Sequence, residues 1–281
     1  MLRMSERPHE RGRWRHLPAL LVSLAFLLPV WFMLTGSLRV PGAAPTPGVT
    51  ALPIDPSVES FRRALALVPL GRFALNSVLV VVAAVPLTVV FASWAGFAIS
   101  RLSPRARGIM VAVSLVALMV PSVALLVPRF ALFRTLGLTN TYVPLIAPSL
   151  LGTSPFYVLI FVWAFRRLPQ DFFDAGRVAG LSWLGVWWRV AMPLVRPVAV
   201  AVGVLAFVFT WGNFLDPLIY LFDESMFTLP LGLRSLSTVG PQDAPVFLAG
   251  AVLATAPVVG AFLYAQRFFL REHRESGWLG R

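Results

Sequence analysis

Residues 166–197 read RRLPQDFFDAGRVAGLSWLGVWWRVAMPLVRP, the longest charge-rich run between two strongly apolar segments. The run reads as two short helices. Asp171 is expected to cap the first, with Asp174 three residues on in the place of a capping-box acid. Phe172, Phe173, Ala175 and Val178 follow at helical spacing, and Gly180 fits the exit, where a left-handed residue is wanted. Ser182 is expected to cap the second helix, which presents Trp183, Val186, Trp187 and Val190 on one side until Pro193 stops it. An amphipathic elbow held between two apolar segments is built to press on something outside the layer those segments occupy.

The flanks show what that layer is. Of the 281 residues, 58% are hydrophobic and 13% charged, against about a quarter charged in soluble domains. Six stretches of at least 19 residues carry no charge: 16–38, 73–100, 108–128, 135–165, 197–215 and 244–266. A membrane span needs roughly 20 mainly apolar residues. The expectation is an all-α membrane protein of six transmembrane helices, with the elbow between the fourth and fifth. All 24 basic residues are arginine. With both termini inside, the inner segments hold seventeen arginines against six acids, the outer ones seven against six. The positive-inside rule therefore places both termini and the elbow in the cytoplasm. The net charge of +12 is a topology signal, not the footprint of nucleic-acid binding.

The chain divides into a basic tail (1–16), a first helix with an external segment (17–71), a core of five helices (72–266) containing the elbow at 166–196, and a second basic tail (267–281). The run 17–38 is too long for a signal-peptide core and lacks a convincing cleavage site, so it reads as a retained span. Pro41, Pro45, Pro47, Pro53 and Pro56 discourage a long helix after it, while 58–70 has the makings of a short surface helix. The remaining helices are expected at about 72–100, 108–128, 143–165, 197–217 and 246–266. Pro144, Pro148 and Pro155 would kink the fourth.

Asp174-Ala175-Gly176, then three residues, then Gly180, closed by Met192-Pro193-Leu194, resembles the EAA motif of binding-protein-dependent ABC importer permeases. Asp174 stands where that family has glutamate, and Gly176 where it has a second alanine, at about 1 kcal/mol of helix propensity. Other runs resemble the family in the same order: Asn76-Ser77, the stretch 95–102 with Gly96-Phe97 substituted, LGLTNT at 136–141, WGNFLDP at 211–217 and FTLPLGL at 227–233. The last and the LGL run are similar to the carbohydrate subfamily, in particular the smaller maltose permease subunit.

The resemblance implies a type I importer fold that translocates a sugar or oligosaccharide by alternating access through the inner membrane. Asp171, Phe172, Asp174, Ala175, Gly176, Arg177, Gly180, Leu181 and Pro193 would form the coupling surface for a pair of ABC ATPase subunits. A second permease subunit and an extracytoplasmic sugar-binding protein are the other implied partners, with lipid around the spans. ATP and magnesium would sit on the ATPases and no cofactor on this chain. An amino acid, polyamine or phosphate as substrate stays open.

The absences agree with a transport subunit rather than an enzyme. Without lysine there is no P-loop, and His9, His16 and His273 all lie in the tails. Without cysteine there is no disulfide, thiolate metal site or thiol nucleophile. A secondary transporter or channel would call for buried ionisable residues and often an internal repeat, and neither is visible. Polar groups for a substrate pathway are few: Asn76, Trp211, Asn213, Asp216 and Tyr220 are the candidates. The serines and threonines in the spans read as interhelical hydrogen bonds. Arg129 and Arg134 read as snorkelling or meeting a partner.

Overall fold

The computed structural model describes residues 17–42, 55–151, 154–237 and 243–275, the last with side chains through Arg267. Every regular element among the described residues is helical. Four stretches are long and apolar enough to cross a bilayer: Leu17–Ser37, Leu70–Ser100, Val143–Arg166 and Ala244–Arg267. Pro104–Met119 with Ser122–Thr135, bent by 83°, and Trp183–Leu194 with Arg196–Trp211, bent by 86°, make two more only if each bent pair counts as one span. The expected six helices thus become four spans, or up to six.

The described chain forms two compact units, one of residues up to Val68 with 235–253, the other of 69–234 with residues from 254 onward. In the smaller unit, α1 (Leu17–Ser37) exposes nearly all its apolar side chains until Thr35, Gly36 and Ser37. The short surface helix expected over 58–70 is α2 (Glu59–Leu67). It is tied down by Ser60 Oγ donating to the Arg39 carbonyl (2.6 Å) and by Arg63 pairing with Asp243 (2.9 Å). The tail 1–16 and Pro45, Pro47 and Pro53 lie outside the described residues.

The larger unit is built on α3 (Leu70–Ser100), 31 residues without a break and therefore about 46 Å long. Asn76, Val80, Ala84, Thr88, Ala92, Gly96 and Ser100, at four-residue steps, are all buried. That spacing makes a stripe that winds slowly round the helix, and small residues there let neighbouring backbones come close, as membrane helices require. α4 (Pro104–Met119) opens with Ser103 as its cap. Pro121 forbids continuation and holds Val120 extended, so the expected third helix over 108–128 breaks here. A 3₁₀ turn at Ser122–Leu125 leads into α5 (Leu126–Thr135).

The expected fourth helix is divided as its prolines suggest, into α6 (Val143–Ile146), a 3₁₀ turn at Ala147–Leu151, and α7 (Pro155–Arg166). The elbow follows as α8 (Gln170–Val178), α9 (Trp183–Val186), a wide turn at Trp187–Ala191 and α10 (Met192–Leu194). α11 (Arg196–Trp211) stops at Gly212, so the helix expected over 197–217 ends early and residues 215–220 form a separate α12 (Leu215–Tyr220). α13 (Leu229–Ser237) and α14 (Ala244–Glu275) complete the chain, and α14 runs well past the boundary expected at 266.

The core of the larger unit lies where α7 and α11 pack on α3. Phe97 is its hub, with ring centroids 5.5 Å from Phe165 and 5.9 Å from Phe173. Phe173 belongs to α8, so the elbow is anchored in the same core as the spans.

Candidate functional site

The elbow is positioned from beneath and open from above. Phe173 and Gly176, three residues apart on α8, are buried, while Asp171, Phe172, Asp174, Ala175, Arg177 and Val178 are exposed. Val178 is 90% exposed and Phe172 47%. A Cβ on Gly176 would lie 3.2 Å from a methyl of Val186 and 3.4 Å from one of Val190, so the glycine lets α8 lie tightly on the next helix.

The expected capping box is absent. Pro169 occupies the cap position without a side-chain bond, which places Asp171 in the first turn. Asp174 instead accepts from Gln170 Nε2 (3.0 Å), and the Gln170 side-chain oxygen Oε1 accepts from Arg101 Nη2, whose guanidinium also lies 4.4 Å over the Phe173 ring. A proline cap donates nothing, and the Asp side chain is one methylene shorter than the family's Glu.

The exit of α8 is as expected. The Leu181 amide donates to Gly176 O and the Gly180 amide to Arg177 O, a Schellman closure with Gly180 at φ +82°. Arg177 Nη1 donates to the Leu181 carbonyl (2.6 Å), so this residue closes the turn itself. Nothing lies within 4 Å of a Cβ on Gly180. Gly180→Ala is therefore a pure backbone test, expected to cost about 1–2 kcal/mol, with Gly180→Asn recovering part of it. Thermal unfolding of the purified chain checks it.

Ser182 caps α9 by accepting from the Gly185 amide (3.2 Å). Pro193 does not end that helix. The Met192 amide reaches back five residues to the Trp187 carbonyl, a widened turn just ahead of the proline, and the chain bends only at Val195. Proline has no amide to give, and a wide turn absorbs the loss that a regular helix cannot.

A second constellation forms where α5, α6, α11 and α12 meet around a cavity of about 330 Å3. Asn213 Nδ2 donates to Asp216 Oδ2 (2.8 Å), and the Asp216 amide donates to Asn213 Oδ1 (3.2 Å). Arg129 Nη1 stands 3.5 Å from Asp216 Oδ1, while its Nη2 is buried with no hydrogen-bond partner. Thus Asn213 and Asp216 are brought together on the cavity wall.

The other three pathway candidates do not line that cavity, though Tyr220 lies close behind Arg129 and Asp216. Asn76 donates to the carbonyls of Ser225 and Phe227, both at 2.9 Å. Trp211 Nε1 donates to Ala254 O (2.9 Å). Tyr220 is fully buried against Phe130 and Phe133. Arg129, read from the sequence as snorkelling or meeting a partner, stands on the cavity wall beside Asp216. The signal was there as an opposite charge, Asp216, but 87 positions separate the two. The LGL run has a structural part: Gly137 (φ +68°) turns the chain out of α5. Asn140 Oδ1 then accepts from the amides of Phe222 and Asp223, both at 3.0 Å.

Residues 88–271 match the family described as binding-protein-dependent transport system inner membrane component. The chain belongs to this family. Among members of the family that it resembles is the arabinooligosaccharides transport system permease protein AraQ of Bacillus subtilis (strain 168), 32% identical over 255 residues, which cover 89% of this chain and 90% of that one. The lactose transport system permease protein LacG of Rhizobium radiobacter is 31% identical over 196 residues, 70% of this chain and 71% of that one. In fold it resembles a chain of a bacterial ABC transporter involved in the import of the acidic polysaccharide alginate, with a TM-score of 0.76 at 21% identity, over 95% of this chain and 100% of that one. As an inner membrane component of this family, the chain is a transport permease subunit.

Proposed function

We propose that this chain is one of two membrane subunits of an ATP-driven importer of a sugar or oligosaccharide, received from an extracytoplasmic binding protein. The observation that carries the reading is the outer face of α8. Phe172 and Val178 stand in solvent beside Asp171 and Asp174, on a helix whose other face is packed into the core. Exposed apolar side chains rimmed by charge are what a docking site looks like. The names of the relatives above supply the substrate class, and the arginine distribution supports placing α8 and both termini in the cytoplasm.

In this reading two ATPase subunits, carrying ATP and magnesium, seat the α8 helices of this chain and of a second permease subunit. Their closure on ATP moves the two elbows together. Because Phe173, Val186 and Trp187 are buried with Phe97, Phe161 and Phe165, that movement passes to α3 and α7 rather than being lost in a loop. ATP binding thereby has a differential affinity for two states of the spans, which alternating access requires.

The test is to purify the chain with its membrane complex, reconstitute it in proteoliposomes and follow labelled arabinotriose, lactose and raffinose. Uptake of at least one sugar that needs both ATP and the binding protein is the expected result. Uptake driven by an ion gradient without ATP, or of amino acids in place of sugars, would overturn the reading.

A further inference from the structure

We propose that the elbow ends of α4 and α7 form a binding surface for anionic phospholipid, with its phosphates on Arg105, Arg107, Arg166 and Arg167 and its acyl chains along the apolar stripes beside them. The proposal rests on the importer reading above in one respect, that the elbow end of the spans faces the cytoplasm.

The first observation is uncompensated charge at that end. α4 starts just past the end of α3, and Arg107 Nη1 donates back to the carbonyls of Ser100 and Leu102, both at 3.4 Å. α7 ends beside the same point, since Arg101, at the end of α3, donates to Gln170 just beyond α7. Arg101, Arg105, Arg107, Arg166 and Arg167 are thereby gathered, while the sequence holds no acid between Glu59 and Asp171. Among the described residues none of the five pairs with a carboxylate. The elbow's Asp171 and Asp174 are too few to balance them, and Asp174 is engaged by Gln170.

The second observation is what continues from the arginines. Arg105, Ile109, Val113 and Val116 follow at steps of four, four and three, which puts them along one stripe of α4, and all four are exposed. On α7, Phe156, Trp163 and Arg167, at steps of seven and four, make a second exposed stripe. The two helices pack on each other, and each stripe carries its cation at the elbow end. The Arg167 guanidinium lies 3.3 Å over the Trp163 ring, and tryptophan beside arginine marks the level of the lipid headgroups.

A ligand that fits has charge at one end and hydrocarbon beyond it. Charge complementarity then selects among lipids. The phosphodiester of phosphatidylglycerol or cardiolipin has no cation of its own, and a guanidinium meets it with two N–H donors. Phosphatidylcholine brings its own ammonium. Basic pockets between spans on the cytoplasmic side take anionic headgroups for this reason. The ATPase reading belongs to a different surface, the outer face of α8, where Phe172 stands with Asp171 and Asp174.

The test uses the full complex in phosphatidylcholine nanodiscs, titrated with phosphatidylglycerol or phosphatidylcholine brominated near the glycerol. Bromine quenches tryptophan on contact, and subtracting the Trp163→Phe complex isolates Trp163 from the other tryptophans. Half-maximal quenching of Trp163 is expected at a mole fraction at least tenfold lower for phosphatidylglycerol. The preference should shrink between about 0.1 M and about 1 M salt, as the screening length falls from ~10 Å to ~3 Å. Arg105→Gln with Arg166→Gln should weaken phosphatidylglycerol binding about 25-fold, at roughly fivefold per arginine. Arg105→Lys with Arg166→Lys keeps the charge and should stay within about twofold of native. Arg134→Gln, on α5, should change nothing.

Equal quenching by the two lipids in the native complex, or a preference untouched by the glutamine pair, overturns the surface. If the native complex prefers neither lipid and the glutamine pair sheds the ATPase subunits, the arginines seat a protein, and the surface is overturned in that way. None of these readouts needs transport. A lipid preference without ATP-driven uptake therefore sinks the importer reading alone, and ATP-driven uptake without the preference sinks the lipid surface alone.

Discussion

Phe172→Asp is expected to strip the ATPase subunits from the purified complex while leaving the membrane part folded. Phe172 is half-exposed, about 100° round α8 from the buried Phe173. Truncating an apolar anchor at the centre of a docking surface typically costs about 2–4 kcal/mol, a loss of roughly 30- to 1,000-fold in affinity. The new carboxylate would also stand between Asp171 and Asp174 and would be desolvated beside them on docking. Val178→Asp, on a residue 90% exposed, should weaken retention in the same way.

Co-purification of the ATPases and the thermal midpoint of the membrane part, measured on the same preparation, separate this from unfolding. The contrasting variant is Phe173→Ala, which removes the buried ring packed on Phe97 and under the Arg101 guanidinium, at a cost of about 3–5 kcal/mol. It should lower that thermal midpoint directly. Full ATPase retention by Phe172→Asp would remove α8 as the coupling surface.

The second large effect belongs to Gly96. A Cβ there would lie 2.5 Å from Phe161 Cβ and 3.0 Å from both Val158 O and Val162 N. Two of these three are backbone atoms of α7, so no side-chain rotation relieves the clash and the helices must move apart. Gly96→Ala is expected to destabilise by about 1–3 kcal/mol, the usual range for overpacking, and Gly96→Leu to prevent assembly. Gly108, on α4, has nothing within 4 Å of its Cβ position. Gly108→Ala is the control and should leave the melting temperature unchanged or slightly raised, since alanine is the better helix former. Melting of the detergent-solubilised chain compares them, and equal behaviour would refute the close approach.

Much of this was legible in the residues. The elbow's exit was, because Gly180 and Ser182 act locally: one supplies a positive φ, the other an oxygen for the next amides. The spans were found by charge-free length, but their breaks were read unevenly. Pro121 and Gly212 interrupt apolar runs just as the prolines of the fourth span do, yet composition scans see an uninterrupted stretch in both. The α3 stripe was missed for a different reason. Ala84, Thr88, Ala92, Gly96 and Ser100 recur every four residues, but in a helix apolar all round no hydrophobic contrast marks them. The signal is smallness, not polarity.

The pathway residues were the least legible. Asn76 and Trp211 have the chemistry for a sugar, but each satisfies a backbone carbonyl instead, and no local pattern reveals that.

The unequal helix lengths carry a further consequence. The 31 residues of α3 span about 46 Å, against a hydrocarbon thickness of roughly 30 Å, while the 16 residues of α11 reach only about 24 Å. A long helix meets a thinner bilayer by tilting or by bending, as α3 can at Pro86, and a short one meets it by adjusting at its bend, each at fractions of a kcal/mol per ångström. Acyl-chain length therefore becomes a thermodynamic variable of the transport cycle, since any two states that differ in tilt are weighted by the lipid they sit in.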